Sequence, residues 1–359
     1  MSEGVPATLA RWLRFRNGRS SPERTANGEY PVYGSNGVIG QAAATNVDGE
    51  AIVIGRVGSY CGSTYYSSSS CWVTDNAIVA TSMDVDETRF WYYVLSSLDL
   101  NRRSHGSGQP LLNQSILSAI PFTAPTRAER LAIGEALGVL DDKIESNSRL
   151  VRLIPKLIRS RTVHALGAGS QMVPVSGIAR FVNGGAYTKG ASGTGRIVIR
   201  IAELNSGPGA STVYSDIDVP QDKTAHPGDI LMSWSGSLGV YRWTLEESII
   251  NQHIFKVLPA GYPAWLVFDR LDEAMDEFRG IAKDKATTMG HIQRGHLDST
   301  SVAVPSEAAI KDLDASMAEL WDRLLLAERE NVRLGQLRDA LIPGLMAGNL
   351  RVSGVGVAG

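Results

Sequence analysis

From Pro125 onward the apolar positions of the chain fall into a strict rhythm. Ile133, Leu137, Leu140, Ile144, Asn147, Val151, Ile154 and Ile158 are spaced 4-3-4-3-4-3-4, a heptad seam with one polar place, Asn147, of the kind that fixes register at some cost in stability. Thr126 followed by Glu129 is a capping-box start for this helix. A helix from Arg127 to His164 is roughly 55 Å long at 1.5 Å per residue, and Pro155 is expected to kink or split it. A second seam, Leu313, Met317, Leu320, Leu324, Ala327, Asn331 and Leu334, steps 4-3-4-3-4-3 and is again polar near one end, at Asn331. The economical reading pairs the two seams antiparallel, with a globular domain at each end. The alternative is two amphipathic helices, each packed on its own domain.

Before each helix the texture is different. Residues up to about 122 form short segments broken by glycine and serine. Ala51-Ile52-Val53-Ile54 and Asn76-Ala77-Ile78-Val79-Ala80 have the length of buried strands. Phe90-Trp91-Tyr92-Tyr93-Val94-Leu95 fits a strand or a buried helix turn, and periodicity does not decide. A second globular stretch, about Val173 to Pro305, offers strands at Ile197–Ile199, Ile230–Met232 and Ile254–Val257. The two stretches share motifs. Val5-Pro6, Ala10-Arg11-Trp12 and Asn17-Gly18 recur as Val173-Pro174, Ala179-Arg180-Phe181 and Asn183-Gly184. Gly106, Gln109, Ala119 and Pro121 recur 184 residues on (305 minus 121), at Gly290, Gln293, Ala303 and Pro305. So long a period excludes a solenoid and points to two copies of one domain-plus-helix unit. The expected boundaries are 1–124, a central helix over 125–166, 167–305, a C-terminal helix over 306–350, and a tail, 351–359.

Composition narrows the class more than it names the job. Hydrophobic content of 43% and charged content of 20% describe an ordinary globular protein. There is no bilayer-length apolar run and no signal-peptide pattern at the N-terminus. Cys61 and Cys71, the only cysteines, suit neither a zinc site nor a disulfide framework and fit a reducing cytoplasm. The net charge of −2 announces no nucleic acid, so a DNA reader of this composition must rely on local patches. Arg11, Arg14, Arg16 and Arg19 make one positive face near the N-terminus, suited to phosphate or to solvated scaffold.

Catalytic constellations are missing. No Asn-Pro-Pro-aromatic adenine-methylation signature and no phosphate-binding Gly-x4-Gly-Lys-Ser/Thr loop occur. Gly190, Gly193 and Gly195 have the wrong spacing for a dinucleotide fingerprint and read as a flexible loop. His253, between Gln252 and Ile254, reads as a core or edge residue.

Repeated globular stretches separated by repeated heptad helices resemble the specificity subunit of type I restriction-modification systems. Glu29-Tyr-Pro-Val-Tyr-Gly-Ser-Asn-Gly-Val-Ile-Gly40 is close to a phrase of that family's target-recognition domains, and Pro227-Gly-Asp-Ile-Leu-Met-Ser-Trp-Ser-Gly-Ser-Leu-Gly239 is similar to another. Leu137-Gly-Val-Leu-Asp-Asp-Lys-Ile-Glu145 resembles the start of its central spacer helix, and Leu341 to Val352 the end of its second. The resemblance covers essentially the whole chain. It implies an α+β fold: two similar mixed α/β target-recognition domains joined by a long antiparallel two-helix coiled coil, with an internal pseudo-two-fold repeat. It also implies a non-catalytic subunit in which each domain reads one half of a split, asymmetric double-stranded DNA site and the helices set the gap. Partners would be two adenine methyltransferase subunits and, optionally, nuclease-translocase subunits. S-adenosylmethionine belongs to the methyltransferases, with no cofactor on this chain and no membrane.

DNA reading needs planar donors and acceptors for base edges and charges for phosphates. Arg102-Arg103-Ser104-His105-Gly106-Ser107-Gly108-Gln109 has that composition. The corresponding second-half candidates are Lys283, Lys285, Thr287, Thr288, His291, Gln293 and Arg294, around Gly290. Further candidates are Tyr33, Ser35 and Asn36 beside Tyr30, then Tyr187 and Lys189, and then Ser233, Trp234, Ser235 and Arg242 beside Tyr241. Two rival classes stay in view: a bivalent coiled-coil scaffold that binds proteins and no DNA, and an enzyme such as a carbohydrate-active β domain.

Overall fold

The computed structural model describes residues 5–104, 110–167, 169–284 and 290–352. The chain divides into two compact units, Met1–Lys143 with Leu334–Gly359, and Ile144–Arg333. Each unit takes one globular stretch and part of each long helix.

In the first unit, Leu13–Asn17, Ala77–Ser82, Ala51–Gly55 and Thr64–Ser67 form an antiparallel sheet in that order. Both faces are covered, which is why Ala51–Ile54 reads as an unbroken apolar run. Ile52, Ile54, Ile78 and Ala80 join a core with Phe90, Trp91 and Leu95. Val53, Val79, Ala51 and Ala77 join another with Tyr33, Val47, Cys71 and Val73. A smaller sheet, Gly37–Ala42, Tyr30–Gly34 and Trp72–Val73, supplies part of that second core. Phe90–Leu95 belongs to a helix, Thr88–Ser97, which buries Phe90, Trp91, Val94 and Leu95 on a helical spacing.

The second unit repeats the pairing order. Ala179–Asn183, Ile254–Pro259, Ile230–Ser233 and Gly239–Arg242 form its antiparallel sheet. A second sheet orders Tyr214–Ser215, Arg196–Ile199, Ser248–Ile250 and Thr224–Ala225. The helix Ala264–Asp284 was not foreseen. It buries Trp265, Val267, Leu271, Met275, Phe278 and Ala282, an apolar stripe at helical spacing.

Backbone pairing corrects most of the motif correspondences. Gly18 N donates to Ala77 O, and Gly184 N donates to Ile254 O, so Asn17-Gly18 and Asn183-Gly184 are equivalent. That register sets Leu13-Arg14-Phe15, rather than Ala10-Arg11-Trp12, against Ala179-Arg180-Phe181. Likewise Leu9 N donates to Ile120 O, and Val175 N to Thr300 O. This shifts the Val-Pro and Ala119/Pro121 matches off register. Short apolar matches recur on neighbouring positions by chance, whereas the Asn-Gly match has a steric cause. A Cβ on Gly18 meets Thr74 O at 2.1 Å, and one on Gly184 meets Asn251 O at 2.2 Å. Gly18→Ala and Gly184→Ala should each cost roughly 1–3 kcal/mol through backbone displacement. Gly295→Ala, whose Cβ meets nothing within 4 Å, should be near neutral. Urea midpoints check this, and three equal midpoints would refute it.

The long helices span Arg127–Leu166 and Glu307–Met346, 40 residues each. The capping box forms: Thr126 N donates to Glu129 Oε2 at 2.9 Å, and Glu129 N to Thr126 Oγ1 at 3.3 Å. Pro155 lies inside the first helix, which runs through it without a split. Its missing donor is outweighed by packing on both sides, where Ile154 and Ile158 are buried. In the second unit Asn147 Nδ2 donates to Glu330 Oε2 at 2.8 Å and Asn331 Nδ2 to Ser148 Oγ at 3.2 Å, while Ile154 and Ile158 share a core with Met317, Trp321 and Leu324. In the first unit Arg338 Nη1 donates to Asp141 Oδ1 at 2.7 Å, and Ile133 and Leu137 share a core with Leu341 and Leu345. Within each unit the two helices therefore run antiparallel. Leu140, Ile144, Val151, Leu313, Leu320 and Leu334 are half-buried. Among the described residues no helix is long and apolar enough to cross a membrane.

Candidate nucleic-acid interface

Loops of the first unit converge where the strand Ala51–Gly55 ends. Ser35 Oγ, from the turn after Tyr30–Gly34, donates to Asn76 O at 2.5 Å, and Val57 N donates to Ser35 Oγ at 3.4 Å. Val57 bridges Leu111, and Leu112 N donates to Arg56 O at 3.0 Å. Arg56 Nη1 donates to Asp75 O, while its Nε is buried without a partner. Asn101 Nδ2 donates to Cys61 O at 2.8 Å, tying the turn Leu100–Arg103 to the same loops. This turn starts at Asp99, which holds a left-handed φ of 43°. The Arg102 side chain is 86% exposed and its pair with Asp99 is open to water, so little binds it in place. Arg103 and Asn36 are exposed, and Ser104 Oγ donates to Asn101 O.

The second unit builds the equivalent corner. Ser235 bridges His291, Ile292 N donates to Trp234 O at 3.0 Å, and Gly236 N to Gly290 O at 3.1 Å. Trp234 Nε1 donates to Asn183 Oδ1 at 2.9 Å, and its ring lies 5.3 Å from that of His253. The guanidinium of Arg294 sits 5.7 Å over the Phe255 ring. Beside it a groove of about 430 Å³ is lined by Gly236, Ser237, Leu238, Arg279, Lys283 and Gly290, among others. Lys283 and His291 are exposed.

Residues 14–155 match a family model described as the type I restriction modification DNA specificity domain. Over those residues the chain is similar to a type I restriction-modification specificity domain. It is 26% identical over 166 residues to the type I restriction enzyme EcoprrI specificity subunit of Escherichia coli, a match spanning 45% of this chain and 41% of that protein. The alignment thus spans less than half of the curated relative. The S subunit of a type I restriction-modification system from M. genitalium has a similar fold, with a TM-score of 0.66 at 16% identity over 95% of both chains.

Several predicted contact residues turn inward. Tyr33 is 7% exposed and packs in the smaller core, where burial raises its hydroxyl pKa. Ser233 is fully buried; its Oγ donates to Ser237 O and accepts from Gly239 N, bracing the hairpin. The Arg242 side chain is 3% exposed and is held by Glu328. These three serve packing, because each meets its partners inside the fold. Tyr187 packs against a small cluster with Val198, Val219 and Ile249, and Lys189 is exposed. The Gly106/Gly290 and Gln109/Gln293 correspondence also moves. Since Leu112 and Ile292 make the same bond, Gln293 matches Asn113, and each precedes a short helix as its N-cap. His105, Gln109, Lys285, Thr287 and Thr288 lie outside the described residues.

Sequence reasoning missed Arg56, Asn76, Asn183 and Gln252. Asn251-Gln252-His253 interrupts two apolar strands, which was a turn signal. Gln252 is exposed and its Nε2 lies 3.3 Å from His253 Nε2. Asn251 Oδ1 and His253 Nδ1 are buried without a partner. Among the described residues no cluster of histidine, cysteine and acidic side chains is placed to hold a metal.

Proposed function

We propose that this chain is the sequence-reading subunit of a type I restriction-modification complex. Each unit reads one half of a bipartite, asymmetric DNA site, and the paired helices set the gap and dock two methyltransferase subunits. S-adenosylmethionine and the methyl transfer belong to those partners, and nuclease-translocase subunits are an optional addition to the same assembly. One observation carries the reading: the backbone bridge of Val57 to Leu111 is made again by Ser235 to His291. Each bridge fixes a basic, hydrogen-bonding loop at the end of the same strand of the same sheet. The flanking residues differ, with Arg56 in one unit where Trp234 stands in the other, so the half-sites differ too.

The test is co-expression with the cognate methyltransferase and mapping of N6-methyladenine across the host genome. A split asymmetric motif, absent without this chain, is expected. The double variant Arg102→Ala with Arg103→Ala should lower modification at least 10-fold, since a good bidentate base contact is worth roughly 1–3 kcal/mol. The complex should still co-purify. A stable complex with no new motif would favour the protein scaffold instead.

A further inference from the structure

Near the start of the first unit, Arg14, Arg16, Arg19 and Arg24 lie within eleven positions that contain a single acid, Glu23. Several other arginines of this chain meet carboxylates, as Arg89 meets Asp142, Arg127 meets Asp84 and Arg196 meets Glu247. Among the described residues none of these four shares an ion pair. Neutral acceptors hold three of the heads. Arg14 Nε donates to Met83 Sδ at 3.1 Å, Arg16 Nη2 to Asn46 O at 2.6 Å, and Arg24 Nη1 to Ile39 O at 3.1 Å. Such contacts orient a guanidinium and leave its charge uncompensated. Arg14, Arg19 and Arg24 are exposed, and Arg16 is half-buried.

The four adjoin the base-reading corner without belonging to it. Arg14 and Arg16 lie two apart on Leu13–Asn17, the outermost strand of its sheet, and so share a face. Arg19 bridges Thr74, two residues from Asn76 and its bond to Ser35. Arg24 rests on Ile39, three residues from Asn36. Charges on an edge strand also serve to prevent strand pairing between molecules. That role explains Arg14 and Arg16, but neither Arg19 and Arg24 beyond the strand nor the missing carboxylates. In the second unit the matching strand keeps an exposed arginine, Arg180, at the place of Arg14, but has Val182 at that of Arg16 and Gly185 at that of Arg19.

We infer that these arginines form a phosphate-gripping strip for double-stranded DNA, of which the second unit keeps only Arg180. The inference rests on the DNA-reading function proposed above. A row of planar, uncompensated guanidiniums suits closely spaced phosphates, and binding releases condensed counterions. The strip grips without reading sequence, so it lends the first unit affinity and the second unit little.

The experiment titrates the full chain onto a 30-base-pair duplex by fluorescence anisotropy, at salt from about 50 to 300 mM. Arg14→Gln, Arg19→Gln and Arg24→Gln combined should flatten the slope of log K against log salt by roughly 2 to 3, near 0.9 per contact. Arg19→Gln alone removes a side chain with no partner among the described residues. It should flatten the slope by about 0.9 with the melting temperature unchanged, which keeps the test open if the triple variant folds poorly. An unchanged slope with wild-type binding overturns the strip alone. Unchanged DNA binding with loss of a protein partner assigns the strip to an acidic protein face and overturns it as well. Failure of the wild-type chain to bind duplex at the lowest salt instead sinks the DNA-reading function, and the strip with it.

Discussion

Arg242→Ala should destabilise the second unit by about 3–5 kcal/mol, the usual cost of leaving one member of a buried ion pair behind. Arg242 Nε and Nη2 donate to Glu328 Oε2 at 2.9 and 2.7 Å, and Nη1 donates to Trp321 O at 2.9 Å. The guanidinium also lies 4.2 Å from the centre of the Trp321 ring. Burial pulls its pKa down and pushes that of Glu328 up, and each is drawn back by the opposite charge beside it. Removing the arginine strands a carboxylate that burial already disfavours. Arg102→Ala, at an open site, should stay within about 0.5 kcal/mol of wild type. The comparison separates a brace from a contact. A stable Arg242→Ala chain that binds DNA poorly would return Arg242 to the interface.

That arginine shows where sequence reasoning stops. The composition of Ser233-Trp234-Ser235 and Tyr241-Arg242 suits DNA, yet whether an arginine points at solvent or at a glutamate 86 positions away is decided by tertiary packing. Features set by local chemistry were legible. The capping box at Thr126, the two seams and the apolar runs at Ala51–Ile54 and Ile254–Val257 all lie where their periodicity puts them. The Asn-Gly repeat was legible for a reason found only in the fold, since nothing local reveals that Thr74 and Asn251 carbonyls press on those glycines. The helix Ala264–Asp284 escaped because its apolar stripe starts inside the run Ala264-Trp265-Leu266-Val267-Phe268, which periodicity alone leaves ambiguous. The loop register escaped because Gly and Gln recur four residues off the true match, and only the bonds of Leu112 and Ile292 expose the shift.

Duplication extends to how the helix beside each sheet, Thr88–Ser97 in one unit and Ala264–Asp284 in the other, is fastened to a long helix. In the first unit Trp91 Nε1 donates to Glu87 Oε2 at 3.0 Å, and Arg130 of the central helix donates to Glu87 Oε1 at 2.5 Å. In the second, Trp265 Nε1 donates directly to Asp314 of the C-terminal helix at 2.8 Å. Each unit thus anchors a buried indole through a carboxylate, one relayed by an arginine and one direct. A loop that reads bases must be held to a fraction of an ångström, so the rigidity of this joint bears on recognition without any contact to DNA.

Trp91→Ala should therefore cost the first unit about 3–5 kcal/mol, the range for emptying an aromatic site in a packed core. Trp91 has no exposed surface and stacks on Trp12 at 5.2 Å, with Phe90 and Phe122 at its edges. The loss has two parts: the cavity, and Glu87, 2% exposed, deprived of a donor. Trp91→Phe keeps most of the volume and removes the indole N–H, so it isolates the second part, at roughly 1–3 kcal/mol for a buried group left unsatisfied. Glu87 would still hold Arg130, which sets the Phe variant toward the low end. Amide exchange should locate the damage at 51–55 and 77–82, the strands whose residues share this core. A drop below about 1 kcal/mol for Trp91→Ala would mean that the joint is looser than its geometry, and that the loops are held by the sheet alone.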